Sequence, residues 1–131
     1  MDKKELLLID LCARLPYGVI CTDNRHGDSK VTEIDVASGV VYLFDVDEYA
    51  PIEICRPYLR PLSSITEEEL KEFYIIEGMG KNPVIWNKPQ SDWHFSVKGF
   101  DWLNAHHFDY RGLIVKSLAI EAPKGMYNII K

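Results

Sequence analysis

The sequence predicts one α+β domain over residues 1–131. An N-terminal helix packs on an antiparallel β-meander, followed by a mainly helical second half ending in a short β-hairpin. Three observations lead there. Apolar residues recur at helical spacing in Leu7, Leu8, Leu11, Cys12 and Leu15. Polar and apolar residues then alternate through Thr32-Glu33-Ile34-Asp35-Val36, the pattern of a strand with one wet face. Further on, Thr66 and Glu69 precede an apolar run at the T-x-x-E spacing of a helix capping box.

In chain order, Asp2 and Glu5 take the capping positions of the first helix. Lys3, Asp10 and Arg14 share its opposite, polar face, and Pro16 stops it because proline disfavours a helical predecessor. Residues 17–23 read as a strand and 24–28 as a turn. A second turn, Ala37-Ser38-Gly39, leads into residues 40–44 (VVYLF), apolar on both faces and so expected at the centre of the sheet. Asp45, Asp47 and Glu48 open an acidic loop, and residues 52–54 suit a brief strand. Two prolines keep residues 56–61 extended and stiff. The helix begun at Thr66, with Ile65 and Leu70 as a hydrophobic staple, ends near residue 77, stopped by Gly78 and Gly80. Residues 81–91 are loop around a strand fragment at 84–86, and Trp93, Phe95 and Val97 alternate as another short strand. Residues 99–107 are helical, and Asp109 caps a short helix through Lys116. Residues 118–121, a Pro123-Lys124-Gly125 turn and residues 126–130 form the closing hairpin.

Composition narrows the function classes. The net charge of −5 arises from 20 Asp+Glu against 15 Lys+Arg, and the first fifty residues carry the whole imbalance. No cluster of Lys and Arg stands ready to displace phosphate counterions, which disfavours nonspecific nucleic-acid binding. The acidic first part reads either as a solvated sheet face or as a mimic of nucleic acid. No apolar run reaches the roughly 18–20 residues of a membrane span. Asp10 and Arg14 break the N-terminal apolar run, so neither a signal peptide nor a membrane association is expected. Cys12 on the apolar helix face, Cys21 in a strand and Cys55 have no disulfide or metal spacing, and the expected location is a reducing cytoplasm.

Chemistry-bearing residues concentrate in two places. His106, His107, Asp109 and Arg111 offer a general base, a carboxylate to orient it and an anion-binding guanidinium, the parts of a small hydrolase. The alternative is structural: a histidine packed beside Trp102, with Asp109 capping a helix and pairing with Arg111. Arg56, Tyr58 and Arg60 alternate on an extended segment and can present one face to a protein partner at a sheet edge. Residues 86–110 hold seven of the 15 aromatic residues, read as a small core beneath the late helices or as a stacking platform. The expected helix at 110–116 with its hairpin outlines the end of a winged helix, in which Tyr110 and Arg111 would begin a recognition helix. No H-x-x-x-H, C-x-x-C or G-x-G-x-x-G occurs, so no metal and no cofactor is expected.

Residues 6–18 (LLLIDLCARLPYG), 57–69 (PYLRPLSSITEEE) and 101–127 (DWLNAHHFDYRGLIVKSLAIEAPKGMY) resemble a family of small uncharacterised proteins of gut Bacteroidales and their phage-like elements. In that family the place of Ser117 is often glycine. The resemblance implies a cytoplasmic, mobile-element setting, and it brings no activity, cofactor or catalytic residue. The leading expectation is a non-enzymatic protein-interaction or accessory factor. A winged-helix-like nucleic-acid binder and a small hydrolase using His106 or His107 with Asp109 are the alternatives.

Overall fold

A computed structural model describes residues 2–23, 25–77 and 95–127. It is α+β, with an N-terminal helix against a six-stranded mixed sheet. Helix α1 (Lys3–Arg14) starts where Asp2 Oδ1 accepts the Glu5 N–H at 2.8 Å. A 3-10 turn at Leu15–Tyr17 and a left-handed Gly18 swing the chain into β1 (Ile20–Asp23), a shorter strand than expected. Then follow β2 (Gly27–Asp35), β3 (Val40–Leu43), β4 (Glu48–Pro51) and β5 (Arg56–Leu59). Residues 52–54 form a 3-10 turn in place of the brief strand. Helices α2 (Glu67–Glu77) and α3 (Val97–Ala105) precede the two-residue β6 (Ile120–Glu121).

The sheet order is β4-β3-β2-β1-β5-β6. Strand β4 emerges from the expected acidic loop, and β3 lies one place in from the edge rather than at the centre. The one-face pattern of β2 fails because a bulge falls between Val31 and Glu33. An extra residue at Thr32 makes the buried series Ser29, Val31 and then half-buried Ile34, leaving Thr32 and Val36 exposed. Pro57 stands inside the sheet at a tolerated place: it pairs with Cys21 of β1, and the β6 pairing begins only at Tyr58.

The closing hairpin is corrected. Strand β6 runs parallel to β5, with Tyr58 opposite Ile120 and Leu59 opposite Glu121. A parallel neighbour needs a long crossover, and residues 60–119 supply one. The turn near Pro123 is present, Met126 N–H donating to the Pro123 carbonyl at 3.0 Å, whereas residues 128–130 of the expected second arm lie outside the described residues. The mainly helical second half is also corrected: among its described residues only α2 and α3 are α-helical, and residues 110–119 are turns. Phe95 precedes the Ser96 cap of α3 and Val97 begins that helix, so neither is in a strand. Residues 78–94, including the expected loop, Trp86 and Trp93, lie outside the described residues.

Two cores result. Leu7 and Leu11 of α1 pack with Val19, Cys21, Val31, Val41, Leu43 and Leu59 on one face of the sheet. Phe73 of α2 joins Leu62, Trp102, Leu103, Phe108 and Tyr110 in a second core, edged by Phe95 and Phe100. The described late aromatics therefore pack against one another. On α1 the face assignment is corrected twice. Cys12 is exposed, whereas Asp10 and Arg14 are 0% exposed.

Candidate functional site

Strand β5 lies inside the sheet order, between β1 and β6, and not at an edge, and Arg60 follows it in a parallel bridge to Phe108. Arg56 Nη1 donates to the carbonyls of Glu53 (2.7 Å) and Cys55 (2.9 Å). The Tyr58 hydroxyl donates to Asp28 at 2.9 Å. Arg60 forms a forked pair with Glu69 at 2.8 and 2.7 Å while its guanidinium lies 4.1 Å from the centre of the Phe108 ring. Glu69 has two structural tasks. Its N–H donates to Thr66 Oγ1 (3.1 Å) and its Oε1 accepts the Thr66 N–H (3.0 Å), which is the expected capping box. Burial pushes the Glu69 carboxyl up, but the hydrogen bonds from Arg60 and Thr66 outweigh it and bring it down to about 2.

Helix α3 ends in a Schellman motif at the two histidines. Phe108 N–H donates to the Leu103 carbonyl (3.0 Å) and His107 N–H to that of Asn104 (3.1 Å), with His107 in the left-handed region at φ 61°. The two imidazoles consequently serve different neighbours. His106 stacks on Trp102 at 3.9 Å, its Nδ1 lies 2.8 Å from the Trp102 carbonyl, and its Nε2 is 4.0 Å from Glu72. His107 stacks on Tyr127 at 3.6 Å. Burial first, and then the positive charge of Arg14, lower the His107 imidazole to about 3, so it is neutral at physiological pH.

Asp109 accepts the N–H groups of Leu113 and Ile114, both at 2.9 Å. It caps a tight turn instead of the expected helix. That turn ends as α3 does, with Leu118 N–H on the Leu113 carbonyl (2.9 Å) and Ser117 left-handed at φ 61°. Tyr110 is buried and donates its hydroxyl to Asn104 Oδ1 at 2.9 Å, and Arg111 Nη1 donates to Asp10 Oδ1 at 2.7 Å. Neither begins an exposed helix. Of the seven sequence-derived site residues, Arg60, His106, His107 and Asp109 come together around Phe108, Arg111 reaches α1, and Arg56 and Tyr58 remain on the sheet.

The buried ion network was not foreseen. Arg14 donates to both Asp10 oxygens (2.8 and 3.1 Å) and to the Phe108 carbonyl (2.6 Å), while Arg111 completes the Asp10 shell. Its one local signal is the four-residue spacing of Asp10 and Arg14. Buried Asp23 holds His26, Nδ1 lying 2.8 Å from Oδ2. Cys21 and Cys55 are buried free thiols, and burial raises both, Cys55 to about 11, which leaves them poor nucleophiles.

A cleft of about 750 Å³ opens beside the Arg60–Glu69 pair. Arg60, Glu68, Glu69 and Glu72 border one side, and Glu121, Lys124 and Tyr127 the other. Tyr127 anchors that second wall in the sheet: its hydroxyl accepts the Ile20 N–H (2.8 Å) and donates to the Tyr58 carbonyl (2.8 Å). It thereby bridges β1 and β5 just beyond their last ladder pair, Cys21 with Pro57. Among the described residues no group of three His, Cys, Asp or Glu side chains is placed to hold a metal ion, and no helix is long and apolar enough to cross a membrane. No protein-family model, curated protein or solved structure matches the chain.

Proposed function

We propose that this chain is a non-enzymatic protein-interaction factor, accessory to a bacterial or phage-like element and acting in the cytoplasm, that receives a partner in the cleft beside α2. The cleft carries this reading. It is large enough for a side chain or loop tip of another protein, and its walls are held by pinned residues. On one side Arg60 and Glu69 fix each other, and on the other Tyr127 ties the wall to two strands. Exposed Glu68 and Glu121 stand at its border, and among the described residues no side-chain hydrogen bond or ion pair engages either carboxylate. Asp109 and Arg111, by contrast, are engaged in capping and ion pairing, which supports interaction over catalysis.

The test is a tagged pull-down from lysate of the source organism, with and without nuclease, read by mass spectrometry. A stoichiometric protein that survives nuclease and is lost from the Glu68→Lys/Glu121→Lys variant is the expected result. Partners lost on nuclease treatment would move the assignment to nucleic acid, and an empty pull-down would move it to a small-molecule substrate.

A further inference from the structure

The opposite side of the sheet from α1 carries a second feature, independent of the cleft. Register places Tyr42 of β3 opposite Glu33 of β2 on one side and Tyr49 of β4 on the other. The next row is Asp35, Val40 and Pro51. The two tyrosine rings lie 5.0 Å apart, tilted by 54°. Tyr49 is 59% exposed, and Phe44 at the end of β3 is 58% exposed. Glu33, Asp35, Asp45, Asp47 and Glu48 are all exposed around them. From residue 27 to residue 54 there are seven carboxylates (Asp28, Glu33, Asp35, Asp45, Asp47, Glu48, Glu53) and a single lysine, Lys30. Lys4 of α1 reaches Glu53 at 3.7 Å, on the other side of this region.

A solvated sheet face is ordinarily covered by polar side chains of mixed sign, and a cross-strand tyrosine pair adds only a modest increment to the ladder. Here negative charge predominates, with Lys30 the one cation of that stretch, and the Tyr49 ring is open beside a half-buried Tyr42. Both attract the same thing: a cation gains from the carboxylates through charge and from the tyrosine faces through their π-electrons. The like charge repels a phosphate backbone. Strand addition at the β4 edge is poorly served. The Ile52 N–H donates to the Gly39 carbonyl, a phase that turns Tyr49 and Pro51 outward, and Pro51 has no N–H to offer.

We propose that the Glu33–Tyr42–Tyr49 row, flanked by Asp35, is a docking face for an arginine- or lysine-rich protein segment, whose cationic groups lie on the tyrosine rings and pair with the carboxylates. The probe is a short labelled peptide of alternating arginine and lysine, titrated into the full chain at low and at physiological salt and mapped by amide NMR shifts. Shifts should concentrate at Glu33, Tyr42 and Tyr49. Replacing the exposed ring in Tyr49→Thr, which retains a strand-forming residue, should weaken binding about fivefold. Glu33→Lys with Asp35→Lys should weaken it about tenfold or more, and Glu68→Lys/Glu121→Lys should leave it unchanged. Circular dichroism checks that each variant is folded. Equal affinity of Tyr49→Thr, or shifts at the cleft instead, would overturn the proposal. So would amide shifts on this same face when an oligonucleotide is titrated in without the peptide. Concentration-dependent sedimentation abolished by Tyr49→Thr would also overturn it, because a second copy would then be the occupant.

Discussion

His107 occupies the left-handed position at the end of α3, where a helix ordinarily places glycine, and it remains there at a steric cost of roughly 1–2 kcal/mol. Its ring offsets that cost by stacking on Tyr127 in a buried site from which a proton is excluded. The consequence is a pH dependence of definite sign. The unfolded imidazole binds a proton below pH ~6.5, whereas the folded one resists until about pH 3, so stability is complete above pH ~6.5 and is lost as pH falls. Between pH 6.5 and 4.5 the loss should be roughly 2–3 kcal/mol. Glu69 acts in the same direction in a lower window, from its unfolded value of 4.5 down to about 2. Urea midpoints measured across pH separate the two. His107→Asn, which tolerates the left-handed backbone, should flatten the slope between pH ~6.5 and 4.5, lower it between 4.5 and about 3 where both groups titrate, and leave it below about 3. A variant that keeps the upper slope would assign it to another group.

Elements built from neighbouring residues were legible in the sequence. The start of α2 is the clearest case, because Thr66 and Glu69 need only each other to satisfy two backbone N–H groups. Thr66→Ala should therefore cost about 1 kcal/mol, and an unchanged thermal midpoint would contradict the cap. Elements decided by distant partners were not legible. The bulge at Thr32 is set by pairing with β3, and no local pattern announces a slip of one residue. Strand β6 is only two residues long and forms because the crossover returns the chain alongside β5. For Asp109 the capping role was readable but its product was not. The carboxylate holds two N–H groups, yet Ser117 turns left-handed before a regular helix can develop. The cleft was invisible for the same reason as β6: its walls are residues 60–72 and 121–127, which only the fold brings together.

At the scale of the whole molecule, the two cores are joined by the ion network that the helical pattern had assigned to solvent. Spacing gives the angle of Asp10 and Arg14 around α1, but their burial depends on Arg111 and the Phe108 carbonyl, 101 and 94 residues away. Arg14 belongs to the helix that covers the sheet core, while Phe108 belongs to the aromatic core, so a single guanidinium spans both. Asp10→Ala leaves Arg14 buried without its counter-charge, and removing one partner of such a pair costs about 3–5 kcal/mol. Asp10→Leu combined with Arg14→Met removes the two fully buried charges and should recover part of that loss, the remainder reflecting Arg111 and the Phe108 carbonyl left without these partners. Hydrogen exchange distinguishes a joint from a local patch. If the network couples the cores, Asp10→Ala should lower amide protection at Leu103 and Phe108 together with that at Leu11. Val31 and Val41, held in the sheet ladder away from the joint, should lose least. Protection lost only within α1 would mean that the network serves that helix alone and that the aromatic core stands without it.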